Sequence, residues 1–184
     1  MSNRIPSVGT LVEAVAFAAS KHRDQRRKDV AASPYINHPI ALANVLANEG
    51  GVTNLTALCA AVLHDTVEDT DTTEQELAER FGSDIASVVM EVTDDKSLDK
   101  ARRKELQIEH APHMSYAARL VKLADKISNL RDILASPPVD WSTERKQAYF
   151  DWAAQVVEGL RGTHPTLEGL FKAVYARRVE LGCQ

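Results

Sequence analysis

One imidazole and three carboxylates fall within six residues in His64-Asp65-Thr66-Val67-Glu68-Asp69, directly behind the apolar run Ala57-Leu58-Cys59-Ala60-Ala61-Val62-Leu63. That concentration of hard and borderline donors suits a metal ion; a polar helix end with solvated acids is the alternative. The apolar run reads as a buried helix. Residues four apart on a helix share a face, so His64 lies over Glu68 and Asp65 over Asp69 if the turn continues. Adjacent side chains diverge by about 100° on an ideal helix. His64 and Asp65 therefore hold one ion only over the wedge between them, with donors from other segments completing the shell.

Two distant residues are candidates for that role. His38 stands in Pro34-Tyr35-Ile36-Asn37-His38-Pro39, where the following proline pushes it out of the helical region and restrains its backbone at the start of a helix. A turn or capping histidine is the alternative. Asp125 belongs to a helix whose Leu120, Leu123, Ile127, Leu130 and Leu134 form an apolar stripe, with Lys122, Asp125, Asn129 and Asp132 on another side. Periodicity alone assigns that second stripe to solvent; the sharper reading lines a cleft with it. Among the other histidines, His22 sits among cations and His110 and His113 flank Pro112, which suits surface positions. His164 reads as loop.

The run Lys21-His22-Arg23-Asp24-Gln25-Arg26-Arg27-Lys28 holds five permanent cations just before the His38 loop. Beside a metal site such cations suit polyphosphate, since Arg offers a planar fork to phosphate oxygens and Lys a movable point charge. An ordinary charged helix end is the alternative, and it applies equally to Lys96, Lys100, Arg102, Arg103 and Lys104. Trp141, Tyr149, Phe150 and Trp152 cluster late in the chain, mostly as core, with Tyr149 able to stack or hydrogen-bond.

The elements that must position these groups are almost all helical. Glycine is scarce and alternating β-branched runs are absent. Nine helices are expected, over about 10–23, 39–50, 54–64, 72–81, 83–92, 99–111, 115–135, 142–160 and 166–180, with starts at Ser, Thr, Asn, Asp or Pro. A chain of 184 residues with 44% hydrophobic content fits one all-α domain spanning 1–184. A net charge of −4 argues against a nucleic-acid binder. Cys59 and Cys183 lack disulfide or zinc-finger spacing, pointing to a reducing, cytoplasmic compartment. No apolar run reaches the ~18 residues needed to span a bilayer, so no membrane association is expected. The stretch 11–19, interrupted by Glu13, reads as the first core helix and not as a leader.

Taken together, His38, His64-Asp65 and Asp125 resemble the metal-binding pattern of the HD-domain phosphohydrolases. Arg26-Arg27-Lys28-Asp29, the His38 loop, His64 to Thr70, Val92-Thr93-Asp94-Asp95-Lys96 and Val121-Lys122-Leu123-Ala124-Asp125-Lys126 look like the hydrolase domain of RelA/SpoT alarmone enzymes, in particular its stand-alone small forms. The likeness runs from about Val12 to Arg178. One departure is Val30-Ala31-Ala32-Ser33, where relatives commonly carry Pro and Gly.

The resemblance implies an HD-domain bundle around a single metal site, hydrolysis of guanosine tetra- and pentaphosphate (ppGpp and pppGpp) to GDP or GTP plus pyrophosphate, and Mn2+ as the usual ion. It makes His38, His64, Asp65 and Asp125 the ligands, and a mixed nitrogen and oxygen shell suits manganese, iron or zinc better than calcium. It gives Glu68 and Asp69 the water and its proton, without deciding which is the base. It places Arg27 and Lys28 on the nucleotide, Lys100 and Arg145 on the outer phosphates, and Asn129 and Tyr149 on sugar or base. Two alternatives remain: removal of the 2′-phosphate of NADPH, which stand-alone relatives are also associated with, and a non-catalytic nucleotide-binding module.

Overall fold

The computed structural model of the chain describes residues 5–182 and contains no β-strand among them. Cys183 lies outside the described residues. The helices are α1 (Val8–Lys21), α2 (Asn37–Asn44), α3 (Leu55–Leu63), α4 (Thr66–Asp69), α5 (Glu74–Phe81), α6 (Ser83–Val92), α7 (Lys100–His110), α8 (Tyr116–Ala135), α9 (Thr143–Glu158) and α10 (Pro165–Ala176).

The centre of the bundle is α3, whose residues 57–63 are all buried, as expected of a helix that is apolar on every side. Its small side chains Ala57, Ala60 and Ala61 let α1, α2, α6 and α8 approach closely. The apolar stripe of α8 joins that core through Leu120, Leu123, Ile127 and Leu130, all fully buried. Three of these helices, α2, α3 and α8, each pack on the other two. That triangle is what brings residues far apart in sequence to one place.

Side-chain caps set most of the boundaries. Asn54, Thr73, Asp99, Ser115 and Ser142 each accept a hydrogen bond from a first-turn backbone N–H, at or beside the expected starts. The first helix begins earlier than expected, because Ser7 and Thr10 cap each other reciprocally and Thr10 is buried inside the first turn. The last helix takes its cap from His164. The second helix closes through a π-helical turn, Val45–Glu49, in which the Gly50 N–H reaches the Val45 carbonyl at 2.8 Å. Gly50 is required there: a Cβ would lie 2.8 Å from both Leu167 Cδ2 and the Leu46 carbonyl oxygen.

Two local departures bear on the site. The chain leaves ideal helix at Leu63, passes through His64 and Asp65, and winds on as the extra helix α4, with the Asp69 N–H bonded to the Asp65 carbonyl at 2.9 Å. In the loop before α2, the Arg27 N–H bonds to the Ser33 carbonyl and the Ser33 N–H to Asp29 Oδ1. That closure holds Ala32 at φ +46, a left-handed conformation in which glycine carries no penalty.

Candidate active site

One donor atom each from His38, His64 and Asp65 lie within 4.8 Å of one another. Asp125 joins them with its Oδ1 3.5 Å from His38 Nε2. The bend at His64 and Asp65 removes the divergence an unbroken helix would impose, and His64 Nε2 lies 3.0 Å from Asp65 Oδ2. The other His64 nitrogen, Nδ1, is 2.8 Å from the Ala61 carbonyl. A proton on Nδ1 satisfies that carbonyl and leaves the Nε2 lone pair facing the cluster, the arrangement a metal-ligating histidine needs.

His38 reaches the cluster from inside the first turn of α2, not from a non-helical residue before it. Expectation fails here because the Tyr35-to-Asn37 turn already winds the chain, with the His38 N–H bonded to the Tyr35 carbonyl at 3.0 Å. Pro39 then sits in a first turn whose N–H groups lack intrahelical acceptors anyway.

The electrostatics keep the cluster's two carboxylates ionised. Burial disfavours protonation of His38, yet the adjoining Asp125 and Asp132 carboxylates raise its imidazole to about 9. Burial also opposes ionisation of Asp65, but His64 and His38 hold it well below the usual carboxylate range. Asp125 behaves alike, with Lys126 and His38 outweighing its burial. Two ionised, largely enclosed carboxylates beside two imidazoles make a mixed oxygen and nitrogen donor set that fits a divalent ion.

Around this cluster stand the acids of α4. The Glu68 carboxyl is pushed above its ordinary value by burial, and further by Asp94, Asp65 and Asp69, against a 3.1 Å hydrogen bond from the Asp94 N–H. Asp69 accepts a hydrogen bond from the Lys96 ammonium. Tyr35, which sequence left unassigned, donates its phenolic proton to Asp65 Oδ2 at 2.5 Å.

A cleft of about 570 Å³ opens beside His38, lined among others by Arg27, Lys28, Asp69, Asn129, Trp141 and Tyr149. Arg27 donates to Asp132, and Asn129 donates to Asp125 Oδ1 at 2.5 Å. Lys100 and Arg145 do not line the cleft but sit against the Trp141 ring, at 6.0 and 4.5 Å from its centroid. Partial burial lowers the Lys100 ammonium, reinforced by Arg145, Lys28 and Arg103. Among the described residues Lys28, Lys100 and Arg145 have no carboxylate partner. Cations that repel one another beside an aromatic wall suit a polyanionic ligand bearing a ring.

Several expectations need correction. The polar stripe of α8 faces the site and not open solvent over most of its length: Lys122 is buried with its ammonium on the Val92 carbonyl at 3.0 Å and the Asp125 side chain is 13% exposed, while Asp132 at its end is half open; Lys126, off the stripe, is also buried. His22 is no surface residue; its ring is buried 4.9 Å from that of Tyr35, with Nδ1 2.7 Å from Gln25 Oε1. His110 and His113 are exposed. Only Phe150 of the four aromatics is fully core; Trp141, Tyr149 and Trp152 pack on one another as a half-buried wall. Cys59 is buried, which pushes its thiol up to about 11.

A family model described as HD domain matches residues 14–157. The guanosine-3′,5′-bis(diphosphate) 3′-pyrophosphohydrolase MESH1 of Danio rerio is 54% identical over 172 residues, 94% of this chain and 96% of that one. Its Homo sapiens counterpart is 56% identical over 168 residues, covering 91% and 94%. A solved structure described as a metazoan ortholog of SpoT that hydrolyzes ppGpp superposes with a TM-score of 0.90 at 46% identity, over 95% of this chain and 98% of that one.

Proposed function

The chain belongs to the HD-domain family, and we propose on that footing that it hydrolyses guanosine tetra- and pentaphosphate at the 3′ side, releasing pyrophosphate and leaving GDP or GTP. Its relatives of matching length carry that activity in their names. The observation in this chain that carries the reading is the convergence of His38, His64, Asp65 and Asp125 next to a cleft edged by unpaired cations.

His38, His64, Asp65 and Asp125 would hold a divalent ion, Mn2+ by the resemblance and by the mixed nitrogen and oxygen donor set. When bound, that ion supplies a Lewis acid that makes a water more acidic and stabilises charge gathering on the attacked phosphoryl group. The chain's own groups do the rest. Glu68, a half-buried carboxylate with a raised pKa, accepts the water's proton as the water oxygen bonds to the phosphorus beside the 3′ oxygen. The bond from that phosphorus to the 3′ oxygen breaks and the oxygen takes up the proton that Glu68 removed from the water, a transfer supported by Asp69 in its pairing with Lys96. Asn129 holds Asp125 in place and reaches toward the sugar, while Tyr149 faces the base from the aromatic wall. Arg27, Lys28, Lys100 and Arg145 grip the phosphates. The whole chain then acts as one hydrolase domain on a small nucleotide in the cytoplasm, with no role for nucleic acid; among the described residues no helix is long and apolar enough to cross a membrane.

The test is pyrophosphate release from guanosine tetraphosphate with Mn2+ added, measured beside phosphate release from NADPH, whose 2′-phosphate the same cations could grip. Faster turnover of the tetraphosphate is expected; turnover of NADPH alone would move the substrate assignment, and turnover of neither would leave a binding module.

The phosphate grip makes its own prediction in the same assay. Lys28→Ala and Arg27→Ala are each expected to raise KM with less effect on kcat, lowering kcat/KM roughly tenfold to a hundredfold, because a charge-assisted contact contributes about 1.5–3 kcal/mol. Arg23→Ala is the control, since Arg23 is exposed and outside the cleft. Near-wild-type kinetics in all three would show that the basic run is only a solvated face.

A further inference from the structure

Gln107, on α7, joins the two halves of the site. Its Nε2 donates to both carboxylate oxygens of Asp94, at 2.9 and 2.7 Å, and its Oε1 accepts from the Lys126 ammonium at 2.9 Å. On one side the chain continues through the Asp94 N–H to Glu68 Oε2 at 3.1 Å. On the other it continues from Lys126 to Asp125 Oδ2 at 3.1 Å. A line of hydrogen bonds, passing covalently through residue Asp94 from its carboxylate to its backbone N–H, therefore runs from the acid on α4 that takes the proton to the acid on α8 that holds the ion, and a single side-chain amide sits at its middle.

The chemistry of that position is demanding. An anion must be met by donors and a cation by an acceptor, at the two ends of one planar group, and a primary amide offers both, with two N–H donors for the two Asp94 oxygens. The orientation is also decided, because turning the amide over would face oxygen to carboxylate and nitrogen to ammonium. Lys126 has little freedom to compensate: its Nζ lies 4.2 Å from the Trp152 ring centroid and the residue is buried. Polar networks of this kind, part-buried around a buried lysine, hold a geometry only when every member is satisfied.

We propose that Gln107 is a positioning residue for hydrolysis: by tying Asp94 to Lys126 it fixes the Glu68 and Asp125 carboxylates relative to each other. The inference rests on the roles given to Glu68 and Asp125 above. Since α7 also carries Lys100 and Arg103, and Arg103 Nη1 lies 4.0 Å from Glu68 Oε1, the same amide sets the register of the phosphate-gripping helix against the acids.

The test uses Gln107→Met, which keeps the length without the hydrogen bonds, and Gln107→Glu, which keeps the acceptor for Lys126 but opposes a carboxylate to Asp94. Adding Asp94→Asn to Gln107→Glu restores a donor facing an acceptor, while the residue 94 N–H still serves Glu68. For each variant Mn2+ binding is titrated by electron paramagnetic resonance on metal-stripped protein, and kcat and KM are measured on guanosine tetraphosphate. Outer partners of metal ligands typically change affinity or rate about tenfold to a hundredfold. Losses of that size in Mn2+ affinity and kcat, at nearly constant KM, are expected for both single variants, with most of the Gln107→Glu loss recovered in the double variant. Should Gln107→Glu not fold, Gln107→Met carries the test. Wild-type binding and kcat in Gln107→Met, or a double variant as impaired as Gln107→Glu, would overturn the proposal. Wild-type protein that neither bound Mn2+ nor released pyrophosphate would overturn the site assignment itself, and this inference with it.

Discussion

His64→Ala is expected to abolish metal-dependent pyrophosphate release while leaving a folded helical protein. Losing a ligand removes the Lewis acid's stabilisation of the transition state, worth several kcal/mol and hence at least about a thousandfold in rate. The cost to the fold is much smaller. His64 follows the last residue of α3; its Nε2 faces Asp65 Oδ2 at 3.0 Å, and its Nδ1 makes a hydrogen bond to the Ala61 carbonyl. That bond contributes about 1 kcal/mol, against a helix whose residues 57–63 are all buried. Metal content by elemental analysis should fall with activity, while far-ultraviolet circular dichroism and the unfolding transition stay close to wild type. Normal turnover with normal metal content would remove His64 from the shell.

The reach of the sequence differs from residue to residue. His64 and Asp65 stand out because an imidazole and acids directly follow a strongly apolar helix, whereas His38 and Asp125 are singled out only by the family resemblance, their own surroundings fitting a turn histidine and a solvated stripe as well; the apolar faces of α2, α3 and α8 bring the four together. The caps are equally legible, since Ser, Thr, Asn and Asp at helix starts act through bonds only two or three residues away. The bend at His64 and Asp65 is not: no Gly or Pro marks it, and the reorientation follows from what the side chains of three helices meet. Nor is the burial of Lys122 and Lys126. A polar stripe facing a cleft has the same 3.6-residue period as one facing water, and only the distant Val92 carbonyl, Gln107 and Trp152 distinguish them. His22 is hidden by Tyr35, from beyond a loop of charged residues. Gln107 leaves the weakest trace, because none of the residues of α7 is fully buried and a glutamine there looks like any solvated side chain.

Glu68→Gln should separate the ion from the proton. The substitution keeps size and an oxygen to accept from the Asp94 N–H, and Glu68 is not one of the four convergent donors, so bound Mn2+ should stay near wild-type stoichiometry. What goes is the base. General acid–base groups contribute about 10²- to 10⁴-fold, so kcat should fall by that range with KM nearly unchanged. The stability of metal-free protein should move the other way. The folded protein holds the Glu68 carboxyl above its ordinary value of 4.5, chiefly by burial, so the ionised form opposes folding. A group raised in the fold contributes its stability below the unfolded value and loses it as pH rises through the folded one. At neutral pH wild type therefore carries the cost of a buried charge that a neutral amide does not. Metal-free Glu68→Gln should melt at or above the wild-type temperature at pH 7, and the difference should shrink as the pH falls toward 4.5. Loss of Mn2+ from the variant would assign Glu68 to the shell instead, and unchanged kcat would pass the base to Asp69, whose carboxylate the Lys96 ammonium already holds.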